Sequence, residues 1–267
     1  MSGTSALVMG IVNVTPDSFS DGGRFLGLDA ALTHARRLIA EGADILDIGG
    51  ESTRPGAAPV SAADELARVV PLITAIRAES AIPISVDTLK PAVARAAVAA
   101  GATMWNDVSA LRGPDAPAVA ADLDCAVVLM HMLGEPGTMQ DAPRYDDVVV
   151  EVEAFLLARA EVAMSAGVAR EKIWLDPGIG FGKTLAHNLA LLRALPRFVA
   201  LGFPVLLGAS RKRFIAAIDP TATDAANRLG GSLAVALEGA RAGVAAVRVH
   251  DVRETVQALT VQGAIGG

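Results

Sequence analysis

The segment LDAALTHARRLIAEGADILDIGGESTR (residues 28–54) contains the unit from which the rest of the chain is built. Apolar residues recur at helical spacing in its first part, and Gly42 marks the end of that helix. The run DILDI (44–48) then has the apolar character of a buried parallel strand, and polar residues 51–54 follow it. The segment therefore predicts a helix, a strand and a polar strand end, in that order.

The same unit recurs along the chain. Strand-like apolar runs, separated by mostly helix-sized segments, are ALVMGI (6–11), DILDI (44–48), PISV (83–86), ATMWN (102–106), AVVLM (126–130), KIWL (172–175), PVLLG (204–208) and AAVRV (245–249). The weakest helical pattern lies at 113–123. Eight such units predict an α/β fold, a closed (β/α)8 TIM barrel that forms a single domain over residues 1–267. The alternative is an open doubly wound sheet, whose Gly-rich turn after the first strand is missing here.

Length and composition suit one barrel. Of the 267 residues, 52% are hydrophobic and only 4% aromatic, so the core must consist of small and branched aliphatic side chains. The net charge is −6 and the bases are scattered, which argues against nucleic acid or a membrane surface as a partner. No apolar stretch reaches the roughly 18 residues of a membrane span. Residues 1–19 lack Lys and Arg, so a soluble cytoplasmic protein without a secretory signal is expected. Cys125 lies in an apolar run, which favours a buried small residue over a nucleophile.

Polar residues follow each apolar run at its carboxyl end. They are Asn13, Glu51 to Arg54, Asp87, Asn106 and Asp107, His131, Asp176, Ser210 to Lys212, and Arg248 to Asp251. Any one of them could be an ordinary cap or turn residue. In a barrel, however, the carboxyl ends of the strands converge on one face, where active sites lie. The sequence therefore predicts a single pocket built from eight separate segments.

Two polar loops carry candidate ligands for a metal ion and an anion. Asn13 and Asp17 offer the hard oxygen donors that Mg²⁺ prefers, although both also suit a turn or a cap. Arg54 could clamp an anion or be a solvated charge. The loops after the last two strands, 208–214 and 247–252, concentrate basic residues where barrels often bind phosphate.

The segment DPGIGFGKT (176–184) resembles a P-loop, but its glycines alternate and do not have the spacing of a P-loop. A carboxylate at Asp176 can accept two parallel hydrogen bonds from a guanidine-like edge, or it can cap the following turn. His131 is expected to be a packed strand-end histidine, and His34 a solvated helix residue.

In this order the motifs resemble the dihydropteroate synthases, the folate-pathway enzymes that sulfonamides inhibit. The matching segments, from about residue 7 to residue 254, are MGIVNVTPDSFSDGG, GGESTRPGA, SVDT, WNDVS, MHM with GTMQ, DPGIGFGKT, GASRK and RVHDV. The resemblance implies a pterin-binding barrel that condenses 7,8-dihydropterin-6-ylmethyl diphosphate with 4-aminobenzoate. Diphosphate and 7,8-dihydropteroate would be the products, and a homodimer would be the assembly. The apolar, small-residue-rich segment 223–242 suits a dimer contact, because it is predicted as one helix that is apolar over more than one stripe.

The resemblance also assigns roles to residues. It implies a pterin pocket of Asp87, Asn106, Asp176 and Lys212, with Arg248 stacked on the ring. It places the diphosphate and its Mg²⁺ with Asn13, Arg54, Arg248 and His250, and it places the aminobenzoate with Phe19, Thr53, Pro55, Phe181 and Lys212. The catalytic residues expected on this basis are Asp87, Lys212 and Arg54. The expected metal ligands remain Asn13 and Asp17, on the basis of their oxygen donors.

The sequence departs from the family pattern at two positions. Ile179 stands where many members have Phe, and Arg213 stands where some have Ser, which puts the aminobenzoate contact at Arg213 in doubt. Two alternative functions are a corrinoid-linked pterin methyltransferase domain and a catalytically impaired pterin-binding paralogue. The intact loops NVTPDSF and STRPG argue against both alternatives.

Overall fold

The computed structural model describes residues 6–14, 23–52, 59–134, 139 and 142–266, with the side chains of 23–26 excepted. Strands and helices alternate along these residues. The strands are β1 (Leu7–Asn13), β2 (Ile45–Gly49), β3 (Ile84–Asp87), β4 (Met104–Asp107), β5 (Ala126–Met130), β6 (Ile173–Asp176), β7 (Leu206–Leu207) and β8 (Ala246–Val249). The helices are α1 (Gly23–Ala40), α2 (Ala62–Glu79), α3 (Pro91–Ala99), α4 (Ala116–Leu123), α5 (Val148–Ser165), α6 (Leu185–Arg193), α7 (Leu195–Val199), α8 (Arg213–Ile218), α9 (Leu229–Ala242) and α10 (Val252–Gly266).

The eight described strands form one parallel sheet in the order β6-β5-β4-β3-β2-β1-β8-β7. An isolated bridge between Leu175 and Val205 joins β6 to the residue before β7 and closes the ring. The Leu175 N–H donates to Pro204 O at 2.9 Å across this join. The predicted barrel is therefore confirmed, and the open doubly wound sheet is wrong. Each predicted run overlaps an observed strand, and the bounds differ by only a few residues.

Side-chain alternation separates the inside of the barrel from its outer layer. Residues that pack together inside the lower barrel are Met9, Ile45, Met104, Val128, Leu206 and Ala246. The larger core lies between the strands and the helices and includes Ile48, Leu72 and Trp105. Because both faces of each strand are covered, the strands read as nearly continuous apolar runs. The lower barrel is filled, so polar side chains collect at the carboxyl end.

Local signals explain most helix boundaries. Ser61 caps α2 by accepting from the Asp64 N–H at 3.1 Å, and Gly42 after α1 has φ +98°. The weakly predicted fourth helix does form, as α4. The predicted helix 223–242 is wrong at its start, because residues 225–228 form a 3₁₀ turn before α9. There the buried Arg228 donates to the carbonyl oxygens of Ala222 and Thr223, which holds the chain out of α-helical geometry.

Two further features bear on the sequence predictions. Cys125 is buried, as expected of a small core residue, and burial raises the pKa of its thiol. Among the described helices, none combines the length and the apolar character needed to span a bilayer.

Candidate active site at the carboxyl ends of the strands

The structure brings the described candidate residues together at one end of the barrel. Strand ends and the loops after them carry Asn13, Asp87, Asn106, Asp176, Phe181, Lys212, Arg248 and His250. Asp87, Asn106 and Asp176 are 4–7% exposed, so their polar groups face a largely dry interior. Asp17, Phe19, Thr53, Arg54 and Pro55 lie outside the described residues, and their assigned roles stay predictions.

Arg248 lies at the centre of a buried ion network. Its Nε donates to Asp47 Oδ2 at 2.5 Å, and its Nη2 donates to Asp87 Oδ2 at 2.8 Å. Asn106 Nδ2 is 3.4 Å from the same Asp47 oxygen. This arrangement fixes the plane of the guanidinium before any ligand arrives.

Asp47 is a buried member of this network that the sequence prediction missed. It lies in the middle of β2 and is fully buried. Its strand register pairs it with Ile11 on one side and Ser85 on the other, which places its side chain on the same face of the sheet as theirs. The sequence signal that could have identified Asp47 is a charged residue between Leu46 and Ile48 in an otherwise apolar run.

The network leaves acceptors available for a ligand. Asp47 Oδ1, Ser85 Oγ and Asp87 Oδ1 are buried and have no hydrogen-bond partner among the described residues. Burial raises the pKa of Asp87 to about 7, even though the charge of Arg248 acts in the opposite direction. For Arg248, burial lowers the pKa but Asp47 and Asp87 raise it by more, so its charge is permanent. A ligand donor at Asp87 Oδ1 would satisfy an atom that is costly to leave unpaired.

Asp176 combines both of the roles considered for it. Its Oδ1 accepts from the Gly178 N–H at 2.7 Å, which makes it a turn cap. Its Oδ2 faces Gly208, where a Cβ atom would lie 3.6 Å from Oδ2, 3.9 Å from Lys212 Nζ and 3.9 Å from Arg248 Cδ. One carboxylate and two cationic side chains thus converge around a residue that has no side chain. Burial raises the pKa of Asp176, and Lys212 opposes that shift.

Lys212 connects this carboxylate with the loop after β6. Its Nζ donates to Ile179 O and lies 4.4 Å from the centroid of the Phe181 ring. Burial lowers the pKa of Lys212 to about 8, although the nearby Asp176 raises it. Lys212 can therefore donate a hydrogen bond to a ligand carbonyl or ring nitrogen without moving far.

The glycines of the loop after β6 have left-handed backbone. Gly178, Gly180 and Gly182 have φ of +69°, +83° and +64°. A Cβ at Gly178 would lie 1.9 Å from His131 O, so only glycine fits there. The alternating glycines therefore serve the turn geometry of this loop.

His250 and Asn13 lie at the rim where the diphosphate is expected. His250 Nδ1 is 3.1 Å from Ser210 Oγ. Asn13 ends β1, and its Oδ1 would be 3.7 Å from a Cβ placed on Gly49, the last residue of β2. The described residues contain no group of three or more His, Cys, Asp or Glu that could hold a metal ion. Mg²⁺ commonly takes one or two protein oxygens together with substrate phosphates, so a single amide oxygen at Asn13 fits such an ion.

Several polar strand-end residues have partners within the protein instead. Asp107 accepts from the N–H groups of Ser109 and Leu111 and caps the turn after β4. Arg211 forms an ion pair with Asp251, with Nε 2.9 Å from Oδ2. Arg213 is exposed at the start of α8.

Two histidines were expected to have no functional role, and the predicted environment is confirmed for one of them and wrong for the other. His131 is buried against the Phe155 ring at 4.9 Å between centroids, which confirms a packed histidine. His34 was expected to be solvated, and this is wrong. It is half-buried, with Nε2 3.2 Å from Ile11 O, because α1 packs against β1.

Comparisons with known proteins agree with this geometry. Residues 9–250 match the model of the family described as pterin binding enzyme. The chain is 49% identical to the dihydropteroate synthase of Escherichia coli strain K12 over 95% of this chain and 89% of that protein. It superposes on the Xanthomonas albilineans dihydropteroate synthase solved with 4-aminobenzoic acid, with a TM-score of 0.93, 54% identity and coverage of 98% and 94% of the two chains. The same enzyme in complex with 7,8-dihydropteroate gives a TM-score of 0.90, 50% identity and coverage of 100% and 96%. The chain therefore belongs to the dihydropteroate synthases, transferases of folate biosynthesis within the pterin-binding enzyme family.

Proposed function

We propose that this protein condenses 7,8-dihydropterin-6-ylmethyl diphosphate with 4-aminobenzoate to give 7,8-dihydropteroate and diphosphate. The observation that carries the proposal is the convergence of Asp176, Lys212 and Arg248 around Gly208. A pterin presents a flat ring with a two-donor edge on one side and a carbonyl with ring nitrogens on the other. The three side chains supply an acceptor, a donor and a planar cation for those features.

The pterin edge binds at the barrel floor. Its 2-amino group and N3–H donate to Asp176, whose Oδ2 is not used by the turn. Lys212 and Asn106 donate to the carbonyl and ring nitrogens. Because the strand ends hold Asp176 and Asn106 rigidly, this half of the site needs little reorganisation.

The reaction breaks the bond between the methylene carbon and the diphosphate oxygen and forms a bond from that carbon to the arylamine nitrogen. The electron-rich pterin favours loss of diphosphate before attack, since the ring delocalises the positive charge. Asp87, about 7% exposed, places a carboxylate where it stabilises that charge. The amine nitrogen then attacks the methylene carbon, and its proton passes to the solvent or to the released diphosphate. This route needs no covalent nucleophile.

The diphosphate binds at the rim. His250 lies there, and Arg248 and Arg54 are further contacts predicted from the sequence. Asn13 is the described residue that would hold Mg²⁺, and the sequence adds Asp17 as a second ligand. When bound, Mg²⁺ neutralises charge that develops on the departing diphosphate. The aminobenzoate lies towards the mouth against Phe181 and Lys212, with Phe19, Thr53 and Pro55 as further predicted contacts.

The two alternative functions are less well supported. The relatives named dihydropteroate synthase match over nearly the whole chain, and one was solved with 4-aminobenzoic acid, which favours the synthase over a corrinoid-linked methyltransferase. A homodimer and a cytoplasmic location stay predictions from the sequence. Analytical ultracentrifugation measures the first.

Release of diphosphate that requires both substrates tests the proposed function. We expect diphosphate to form only when the pterin diphosphate and 4-aminobenzoate are both present with Mg²⁺, and dihydropteroate to appear in equal amount. Omission of each component in turn is the control. No release of diphosphate from folded protein, or release with no dihydropteroate when both substrates are present, would contradict the synthase reaction and favour the impaired paralogue.

A further inference from the structure

A buried ammonium group beside the pocket has no role in the mechanism above. Lys183 is only 4% exposed, and no carboxylate of the described residues lies within ion-pair distance of its Nζ. Nζ instead contacts three neutral acceptors: His131 Nδ1 at 2.9 Å, Phe181 O at 2.9 Å and His131 O at 3.3 Å. Three donors thus meet three acceptors, an arrangement that suits the charged amine and leaves none of its hydrogens unused.

His131 is held as a neutral acceptor for this lysine. Burial lowers the pKa of His131 to about 3, and the charge of Lys183 acts in the same direction. While Lys183 is charged it can only donate, so in that state Nδ1 accepts and the ring proton is on Nε2. The ring is wedged between Phe155 at 4.9 Å and Tyr145 at 6.0 Å between centroids. The end of β5 therefore presents a rigid anchor to the loop after β6.

The loop that Lys183 holds is the one that contacts Lys212. The Ile179 carbonyl accepts from Lys212, and the Phe181 carbonyl accepts from Lys183. Glycines with left-handed backbone flank each of these two residues, so two alternate carbonyl groups are directed at two different ammonium groups. The Phe181 ring in turn lies 4.4 Å from Lys212 Nζ. A shift of the Phe181 backbone would therefore displace both its ring and the lysine next to it.

Other contacts hold the rest of the loop independently of Lys183. Asp176 accepts from the Gly178 N–H, and Asn188 Oδ1 accepts from the Gly180 N–H at 2.7 Å. Tyr145 donates to Gly182 O at 2.8 Å. Within the loop the Phe181 N–H also donates to Gly178 O at 3.1 Å, so the contact from Lys183 is the side-chain hydrogen bond that holds the Phe181 backbone. The pterin acceptor Asp176 is fixed by β6 itself.

We propose that Lys183 is a positioning residue for the aminobenzoate half of the site, acting through the Phe181 carbonyl and anchored on His131. This inference rests on the proposed function and deepens it, because it assigns a role to a residue that contacts neither substrate. Loss of Lys183 weakens the binding of the aminobenzoate moiety and leaves the binding of a simple pterin nearly unchanged.

The charges that face Lys183 determine how pH affects it. Burial is the largest effect and lowers its pKa to about 7, while Asp176 raises the pKa and Lys212 lowers it further. His131 contacts it directly, and Arg112 adds positive charge near His131. Above this pKa the neutral amine has two hydrogens and a lone pair, and the lone pair accepts from His131 Nδ1 when the ring proton is there, so all three contacts persist in a weaker, uncharged form.

The test compares Lys183→Met with Lys172→Met. Both changes remove an ammonium group, but Lys172 lies at the opposite end of β6 and pairs with the exposed Asp124. For Lys183→Met we expect the KM for aminobenzoate to rise about 10-fold or more, as for a lost bond from a charged donor, with 6-hydroxymethylpterin affinity within about 3-fold of wild type. We expect Lys172→Met to match the wild type. An unchanged KM for aminobenzoate, or an equal loss of both affinities, would overturn the proposal.

Changes at His131 keep the proposal testable if Lys183→Met does not fold. His131→Leu removes the acceptor at Nδ1, whereas the side-chain oxygen of His131→Asn can occupy nearly the same position. We expect His131→Leu to raise the KM for aminobenzoate and His131→Asn to restore most of the loss. Equal effects of the two changes would contradict an anchoring role for the acceptor.

A binding measurement separates this inference from the proposed function. Calorimetry with pteroate and with 6-hydroxymethylpterin compares a ligand that carries the aminobenzoate moiety with one that lacks it. We expect Lys183→Met to lower the affinity for pteroate more than the affinity for 6-hydroxymethylpterin. This holds even if the wild type releases no diphosphate. Equal weakening would refute the role of Lys183 while leaving the synthase reaction intact.

Discussion

Replacing Asp176 by asparagine tests the centre of the proposed pterin site. The new amide side chain can keep its oxygen on the Gly178 N–H, which is 2.7 Å from Oδ1 in the wild type. The other oxygen, facing Gly208, becomes an NH₂ group, so a donor meets the donor edge of the pterin. The change therefore preserves the turn and removes the acceptor.

The magnitude follows from the loss of a charge-assisted hydrogen bond in a buried site. Such bonds contribute about 1.5–3 kcal/mol, which corresponds to about 10- to 150-fold weaker binding of the pterin. Stability should change little. Burial raises the pKa of Asp176, so removing its charge relieves a desolvation cost, while Lys212 loses a favourable neighbour. The two effects oppose each other.

The assay measures pterin affinity by calorimetry and melting temperature without ligand on the same preparation. Asp124→Asn is the matched control, because Asp124 is exposed at the opposite end of the barrel and its left-handed backbone suits asparagine. Normal pterin binding by Asp176→Asn would refute the proposal that Asp176 accepts hydrogen bonds from the pterin. A lowered melting temperature with normal affinity would reduce Asp176 to a turn cap.

The same geometry leads to four further predictions. Asn13→Ala should raise the KM for the pterin diphosphate while 6-hydroxymethylpterin still binds, and a parallel loss of both in calorimetry would contradict a role at the diphosphate. Gly178→Ala should lower stability by more than about 2 kcal/mol, because its Cβ would meet His131 O at 1.9 Å, whereas Gly263→Ala on the exposed face of α10 should be neutral or stabilising in urea titrations. The raised pKa of Asp87, about 7, contributes stability that is fully present below its unfolded value near 4 and is lost as pH rises through 7. The wild type should therefore lose stability relative to Asp87→Asn over that window, and a constant difference would argue against the raised pKa. Finally, the sequence places the predicted aminobenzoate contacts Phe19, Thr53 and Pro55 on the two loops expected to bind the diphosphate and Mg²⁺. 4-Aminobenzoate should therefore bind only after the pterin diphosphate, and tight binding to the free enzyme in calorimetry would refute this order.

The fold was predictable because buried parallel strands leave a strong signal. Both faces of each strand are covered, so each strand reads as an apolar run, and a polar residue appears where the run leaves the core. Asp87 and Asp176 both end their strands and were found in this way. The pocket then followed from barrel geometry alone, without any knowledge of side-chain contacts.

The features that could not be predicted from the sequence depend on contacts that a linear pattern does not show. Asp47 is a mid-strand residue whose role requires Arg248, 201 residues away. Lys183 has its acceptor on His131, 52 residues away, and a lysine after a glycine loop gives no hint of that partner. The start of α9 depends on the bonds of the buried Arg228 side chain to local carbonyls, which helical periodicity does not detect.

The thin join between β6 and β7 has a consequence for how the barrel opens. β7 spans only two residues, and the ring is closed there by one bridge and the bond from the Leu175 N–H to Pro204 O. Elements held by few bonds open first in native-state hydrogen exchange, so the Leu175 amide should exchange faster than amides between β1 and β2. Asp176 lies on one side of this join and Lys212 on the other. A pterin bound to both would tie the two strands together, and the slowing of exchange at Leu175 would then report ligand binding at the weakest seam of the barrel.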